Sequence, residues 1–253
     1  MKKIICLLLL LSVVCVSSAR SRKATCNLVF IGNSITEGVL HADKSKTAPP
    51  VLTASMVGKM LSRDIIFRNC GRSGATTVDF LPSEQRDFVR VEKAIKDIQE
   101  ISYEPIIFSI MLGTNDSAID GTTTGSPVSR ADYKQNLKKI IEACREVCPN
   151  AIFVLHRPIW YSPNSHNGAQ YLVAGQKRMV GHTYVLIDMA RKNPDIYFGA
   201  NEAFDYFRAK HHKFMFAEDG KAGIFYLHPN EAGAKKLARF WAEAIVRTVK
   251  AAQ

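Results

Sequence analysis

Apolar residues along this chain fall into two kinds of pattern, short unbroken runs and longer stretches that recur every third or fourth position. Leu28 to Ile31, Ile65 to Phe67, Ile106 to Leu112, Ala151 to Leu155 and Val185 to Ile187 are the runs, and they predict five strands buried on both faces. The strongest is Ile106 to Leu112, which follows Pro105 and stops at Gly113. Between the runs lie helical patterns. One starts near Pro49-Pro50 with Leu52, Met56 and Met60 on its inner side, and another spans Ser83 to Ile101 with Phe88, Val91, Ile95 and Ile98 inward. A third opens at Ser129, with Asp132 as a variant capping box and Leu137, Ile140, Ile141, Cys144 and Val147 as its stripe. The last runs from about Asn230 to Lys250 through Leu237, Trp241, Ile245 and Val249. The aromatic-rich region from Arg191 to Leu227 shows little periodicity.

Strands alternating with helices predict an α/β chain whose parallel sheet is covered on both faces. Ligands of such sheets bind beyond the carboxyl ends of the strands. Three of those ends carry glycine with small polar residues: Gly32-Asn33-Ser34, Asn69 to Gly74, and Gly113-Thr114-Asn115-Asp116. Glycine there lets backbone approach a substrate closely.

Length and composition narrow the picture further. At 253 residues the chain suits one sizeable core, here residues 20–253. Residues 1–19 are set apart: Lys2 and Lys3, an apolar run from Ile4 to Val16, then Ser17-Ser18-Ala19 read as a signal peptide, so the mature protein is expected to be secreted or periplasmic. Val14 before Cys15 argues against a lipid anchor, and no later segment has the length of a transmembrane helix. The formal charge of +11 is scattered over helices, which does not point to nucleic acid and leaves an anionic sugar as the better partner for charge. Cys26, Cys70, Cys144 and Cys148 remain after the leader, either as disulfides or as small buried thiols. With no CxxC pair, no metal is expected, and nothing calls for a cofactor.

Ser34, at a strand-to-helix turn, is placed to act as a nucleophile, and His228, in Leu227-His228-Pro229-Asn230 before the last helix, is placed to serve it as a base. Together the four blocks resemble the SGNH (GDSL-like) hydrolase superfamily, and its carbohydrate O-acetylesterases in particular. The resemblance implies a three-layer α/β/α sandwich of flavodoxin-like type and ester hydrolysis through an acyl-enzyme. It assigns Ser34 as nucleophile, His228 as general base, and the backbone N–H of Ser34, the backbone N–H of Gly74 and the side-chain amide of Asn115 as oxyanion donors, with Gly71 the less favoured glycine.

Two positions depart from the family pattern. Asn33 stands where aspartate is more usual, and asparagine can still cap the turn. Phe225 stands where an aspartate is expected three residues before the histidine, and a phenyl ring accepts no hydrogen bond from imidazole. A backbone carbonyl, Glu218, Asp219 or Asp188 would then orient His228, or the enzyme is weakened. A working Ser-His dyad with an unconventional third partner is the favoured reading. His156, Arg157, Trp160 and Tyr161 at one strand exit are candidates to contact a sugar, Arg157 and Trp160 foremost. The expected activity is an exported serine esterase acting on O-acetylated carbohydrate. The alternatives are a lysophospholipase or thioesterase of the same superfamily, or a non-catalytic glycan-binding protein on this fold.

Overall fold

The computed structural model describes residues 25–252; the predicted signal peptide lies outside them. Along the chain the elements are β1 (Thr25–Gly32), α1 (Ser34–Glu37), α2 (Lys44–Thr47), α3 (Pro49–Leu61), β2 (Asp64–Asn69), α4 (Phe88–Gln99), β3 (Ile106–Met111) and α5 (Arg130–Val147). They continue with β4 (Ile152–Leu155), α6 (Leu172–Lys192), β5 (Ile196–Phe198), α7 (Glu202–Phe214), β6 (Glu218–Gly220), β7 (Gly223–Phe225) and α8 (Glu231–Ala251). β1 to β5 form one parallel sheet in the order β2-β1-β3-β4-β5, and β6 pairs with β7 in a separate antiparallel hairpin. The fold is thus the predicted α/β/α sandwich.

Each face of the sheet has its own core. Leu28 and Phe30 of β1 point to the side covered by α3, α7 and α8, where Trp241 stacks on Phe30 with ring centroids 6.0 Å apart. Val29 and Ile31, alternating with them, point to the side covered by α4, α5 and α6. That alternation is why the strand is apolar without interruption. Central β3 is buried at every position.

The helix stripes expected in α4 and α8 are buried as read. The Ser129 cap is also in place: its Oγ accepts from Asp132 N at 3.1 Å and donates to Asp132 Oδ2 at 2.6 Å. Four expectations need correction. The helix read from Ser83 to Ile101 is confined to Phe88–Gln99, Ser83 lying in a separate short turn, Pro82–Glu84. Val185 to Ile187 is not a strand but part of α6, where Met179, His182, Val185, Leu186 and Met189 follow helical spacing; the fifth strand is Ile196–Phe198. In α3 the buried residues past Pro49 and Pro50 are Thr53, Ala54 and Val57, while Met60 is 46% exposed, because close packing against α8 selects the small side of the helix. In α5, Val147 at the end of the stripe is exposed. Cys26, Cys70, Cys144 and Cys148 are buried free thiols, and burial pushes Cys26 up to about 11 and Cys70 up to about 12. No helix among the described residues is long and apolar enough to cross a membrane.

Trp241 joins α8 to the sheet, packing on Phe30 and on the ring of His156 at 5.3 Å. Trp241→Ala is expected to cost about 3–5 kcal/mol in urea unfolding; a cost within measurement error would show that this face of the core is not closed by the indole.

Candidate functional site

Ser34 is the first residue of α1, just past the end of β1, and is 7% exposed. The turn is built by its neighbours. Asn33 Oδ1 accepts from Ile35 N at 3.1 Å, so asparagine does cap here. A Cβ on Gly32 would collide with the Thr36 side chain.

The glycine-rich loop after β2 is held against α1 from three directions. Asn69 Nδ2 donates to Thr36 O at 3.0 Å, Ser73 N donates to Glu37 Oε2 at 2.6 Å, and a Cβ on Gly71 would come within 2.5 Å of Glu37 N. Behind the loop, Arg72 pairs with Asp79 and Asp87. Gly71 N–H donates to Asn69 Oδ1 at 2.9 Å. Gly74 instead has φ +77°, a conformation that favours glycine, and no acceptor among the described residues takes up its N–H or that of Ser34. Asn115, after β3, donates from Nδ2 to Ala75 O at 2.9 Å, which ties the third strand end to the second.

His228 completes the group. Its Nε2 lies 2.8 Å from Ser34 Oγ, and its Nδ1 lies 3.0 and 2.9 Å from Glu218 Oε1 and Oε2. A carboxylate only accepts, so Nδ1 carries the proton and Nε2 offers a lone pair to the Ser34 hydroxyl. The histidine backbone is fixed as well: its N donates to Glu218 Oε1 at 3.0 Å and its carbonyl accepts from Phe216 N at 2.9 Å. His41 Nε2 donates to Pro229 O at 3.1 Å, and Asn230 Oδ1 caps α8 by accepting from Gly233 N at 2.9 Å.

Glu218 thus answers the question that Phe225 raised. In the β6–β7 hairpin, Glu218 is the register partner of Phe225, so the carboxylate enters from the strand beside the expected position. Phe225 is buried, and its ring fills the place where a Cβ on Gly220 would stand. Asp219, next along β6, is exposed. Asp188 pairs with Lys134 and Lys192 at 2.6 and 2.7 Å, and those ammonium groups hold its carboxyl down at about 2.

The residues at the β4 exit have partners inside the protein. Trp160 is 8% exposed beneath the His211 ring, 4.9 Å away, and the Arg157 guanidinium lies 3.8 Å from the Phe204 ring centre. His156 forms a second Ser-His pair with Ser109 at 2.9 Å, but Ala200 N donates to its Nδ1 at 3.0 Å. Its proton therefore sits on Nε2 and points at the serine, the opposite of His228. Burial pushes this imidazole down to about 3. Tyr171, whose O–H donates to Asn115 Oδ1 at 2.7 Å, carried no signal in the sequence. Among the described residues no three His, Cys, Asp or Glu side chains are grouped to hold a metal ion.

What the arrangement can do is move one proton from a serine hydroxyl to an imidazole backed by a carboxylate, beside N–H groups without protein acceptors. The family model of the GDSL-like lipase/acylhydrolase family matches residues 30–236. Similar solved structures include an aryl esterase of Mycobacterium smegmatis (15% identity, TM-score 0.60, covering 88% of this chain and 99% of that one). Others are the carbohydrate acetylesterase Est24 of Sinorhizobium meliloti (15%, 0.57, 88% and 99%) and the acetylxylan esterase Axe2 of Geobacillus stearothermophilus (18%, 0.59, 90% and 96%). No curated protein sequence matches the chain.

Beside Asn115, Asp116 is fully buried; its Oδ1 accepts from Thr77 N at 2.9 Å and Thr77 Oγ1 at 2.5 Å, and its Oδ2 has no partner. Burial outweighs the Thr77 bonds and pushes its carboxyl up to about 6. A carboxyl raised in the folded state binds more protons there than in the unfolded chain, so its share of stability is full below about pH 4 and is lost as pH rises through about 6. Relative to Asp116→Asn, the native protein should lose on the order of 3 kcal/mol between pH 4 and 7 in urea unfolding. A gap between the two proteins that does not change with pH would contradict this.

Proposed function

This chain belongs to the GDSL-like lipase/acylhydrolase family and is a carboxylic-ester hydrolase; we propose that it is an exported serine esterase that removes O-acetyl groups from carbohydrates through an acyl-enzyme on Ser34. The observation that carries this reading is the chain of contacts from Ser34 through His228 to Glu218.

In this reading Ser34 Oγ attacks the ester carbonyl carbon while His228 Nε2 takes the hydroxyl proton. The imidazolium that forms is stabilised by Glu218, which keeps its own negative charge. The carbonyl oxygen, now an oxyanion, is met by the N–H of Ser34, the N–H of Gly74 and the second Nδ2 hydrogen of Asn115. Gly71 is a poorer donor because Asn69 already accepts its N–H. Collapse breaks the bond to the sugar oxygen, which leaves with the proton held by His228. Water, deprotonated by the same nitrogen, then attacks the acetyl-serine, and acetate departs with Ser34 reprotonated.

Export is supported by the charged, apolar and small-residue order of residues 2–19. The acetylated carbohydrate is supported by two similar structures described as a carbohydrate acetylesterase and an acetylxylan esterase. A purely glycan-binding role drew its support from Phe225, and the Glu218 contact removes that support. Arg157 and Trp160 remain proposed sugar contacts only at the margins that His211 and Phe204 leave open.

Ser34→Ala is expected to abolish acetate release from acetylated xylo- and manno-oligosaccharides and labelling by a fluorophosphonate probe; turnover equal to the native enzyme would rule the mechanism out. Across p-nitrophenyl esters, acetate should be the best substrate, and a marked preference for long acyl chains would replace this reading with a lipid one. Glu218→Gln presents an amide that can donate to Nδ1 and impose the wrong tautomer, so kcat should fall about 10³- to 10⁴-fold with KM little changed. An unchanged kcat would remove Glu218 from the mechanism.

A further inference from the structure

The Asn115 amide is held at both of its polar atoms. Its nitrogen faces Ala75 O, and because a carbonyl only accepts, this contact fixes which end of the amide is nitrogen. Its oxygen therefore faces Tyr171, whose phenolic O–H must be the donor, at 2.7 Å. With one Nδ2 hydrogen on Ala75 O, the other is free of protein acceptors among the described residues.

We propose that Tyr171 is a positioning residue, whose hydroxyl sets the orientation of the Asn115 amide and so presents its free N–H to the oxyanion. This rests on the reading of Asn115 as an oxyanion donor. Without that hydroxyl, Asn115 Oδ1 is a buried acceptor without its donor. Flipping the amide brings no relief, since it would set Oδ1 against Ala75 O, so the group turns away from its productive position.

Tyr171 is suited to this by its surroundings. Its ring is buried and packs on Tyr161 at 5.4 Å between ring centres. Burial, with the Glu218 charge adding to it, pushes the phenol well above its ordinary range, so it stays a donor at any working pH. The segment that carries it grips both halves of the site. Ser162 N donates to Tyr226 O and Tyr226 N to Ser162 Oγ, both at 2.9 Å, two residues before His228. At its other end, Ile119 N donates to Gln170 O and Gln170 N to Asp120 O, both at 2.7 Å, just beyond Asn115. One segment therefore aligns the oxyanion donor with the base.

The test is a double-mutant cycle on p-nitrophenyl acetate with Tyr171→Phe, Asn115→Ala and the pair. Active sites are counted by labelling Ser34 to completion with a fluorophosphonate, which also reports that each variant is folded. Phenylalanine keeps the ring and removes only the hydroxyl. Y171F should lower kcat about 10- to 100-fold and change KM less than about threefold, and N115A should lower kcat about 10²- to 10³-fold. The double variant should be no slower than N115A, because Tyr171 acts only through that amide. Losses that multiply, or a Y171F enzyme with native kcat, would overturn the role of Tyr171 while leaving Asn115 in place. An N115A enzyme with native kcat would instead overturn the oxyanion reading and this proposal with it. Tyr133→Phe, which removes an equally buried phenol hydroxyl that donates to Leu112 O at 2.8 Å, should leave kcat within about twofold of native. A loss there as large as in Y171F would show that the effect is one of packing and would also overturn the proposal.

Discussion

In the proposed mechanism the tautomer of one imidazole governs what this molecule can do. Among the described residues two Ser-His pairs stand at hydrogen-bond distance, and they differ in what faces the other ring nitrogen. At His156 a backbone N–H occupies Nδ1, the proton is forced toward Ser109, and the pair is a piece of core packing. At His228 the Glu218 carboxylate occupies Nδ1, and the free lone pair faces Ser34. In the proposed mechanism the same two residue types pack the core in one place and transfer a proton in the other.

The remainder of the site follows from how closely three strand ends can be brought together. Gly71 lets the loop after β2 lie directly on α1, Gly32 leaves room for the Thr36 side chain beside the end of β3, and side-chain amides complete the joins: Asn33 within the turn, Asn69 onto Thr36, Asn115 onto Ala75. Each of these bonds fixes part of the site before any substrate arrives, which in the proposed mechanism is the condition under which an oxyanion is stabilised most. The buried carboxyl of Asp116 sits beside this assembly, and its unpartnered Oδ2 is the kind of local cost that functional sites retain.

Much of this was legible in the sequence. The runs at Leu28 to Ile31 and Ile106 to Leu112 marked central strands, the four-residue recurrence from Leu237 to Val249 marked α8, and the glycine-rich strand ends located the site. The losses have physical causes. Val185 to Ile187 is three apolar residues, too few to separate a strand from the inner side of a helix. Glu218 was one candidate among several because Glu218-Asp219-Gly220 has little intrinsic strand preference, and its pairing with Gly223 to Phe225 is a tertiary fact. Tyr171 was invisible because its role depends on meeting Asn115 across a long stretch of chain.

The central claim, that Ser34 accepts the acyl group, is tested most directly by rapid acid quench of the enzyme turning over p-nitrophenyl acetate, followed by peptide mapping in a mass spectrometer. The account predicts an acetyl group on the peptide that contains Ser34, formed in a burst and absent from Ser34→Ala. Steady release of acetate with no acetylated peptide, or with the acetyl group on another residue, would contradict it.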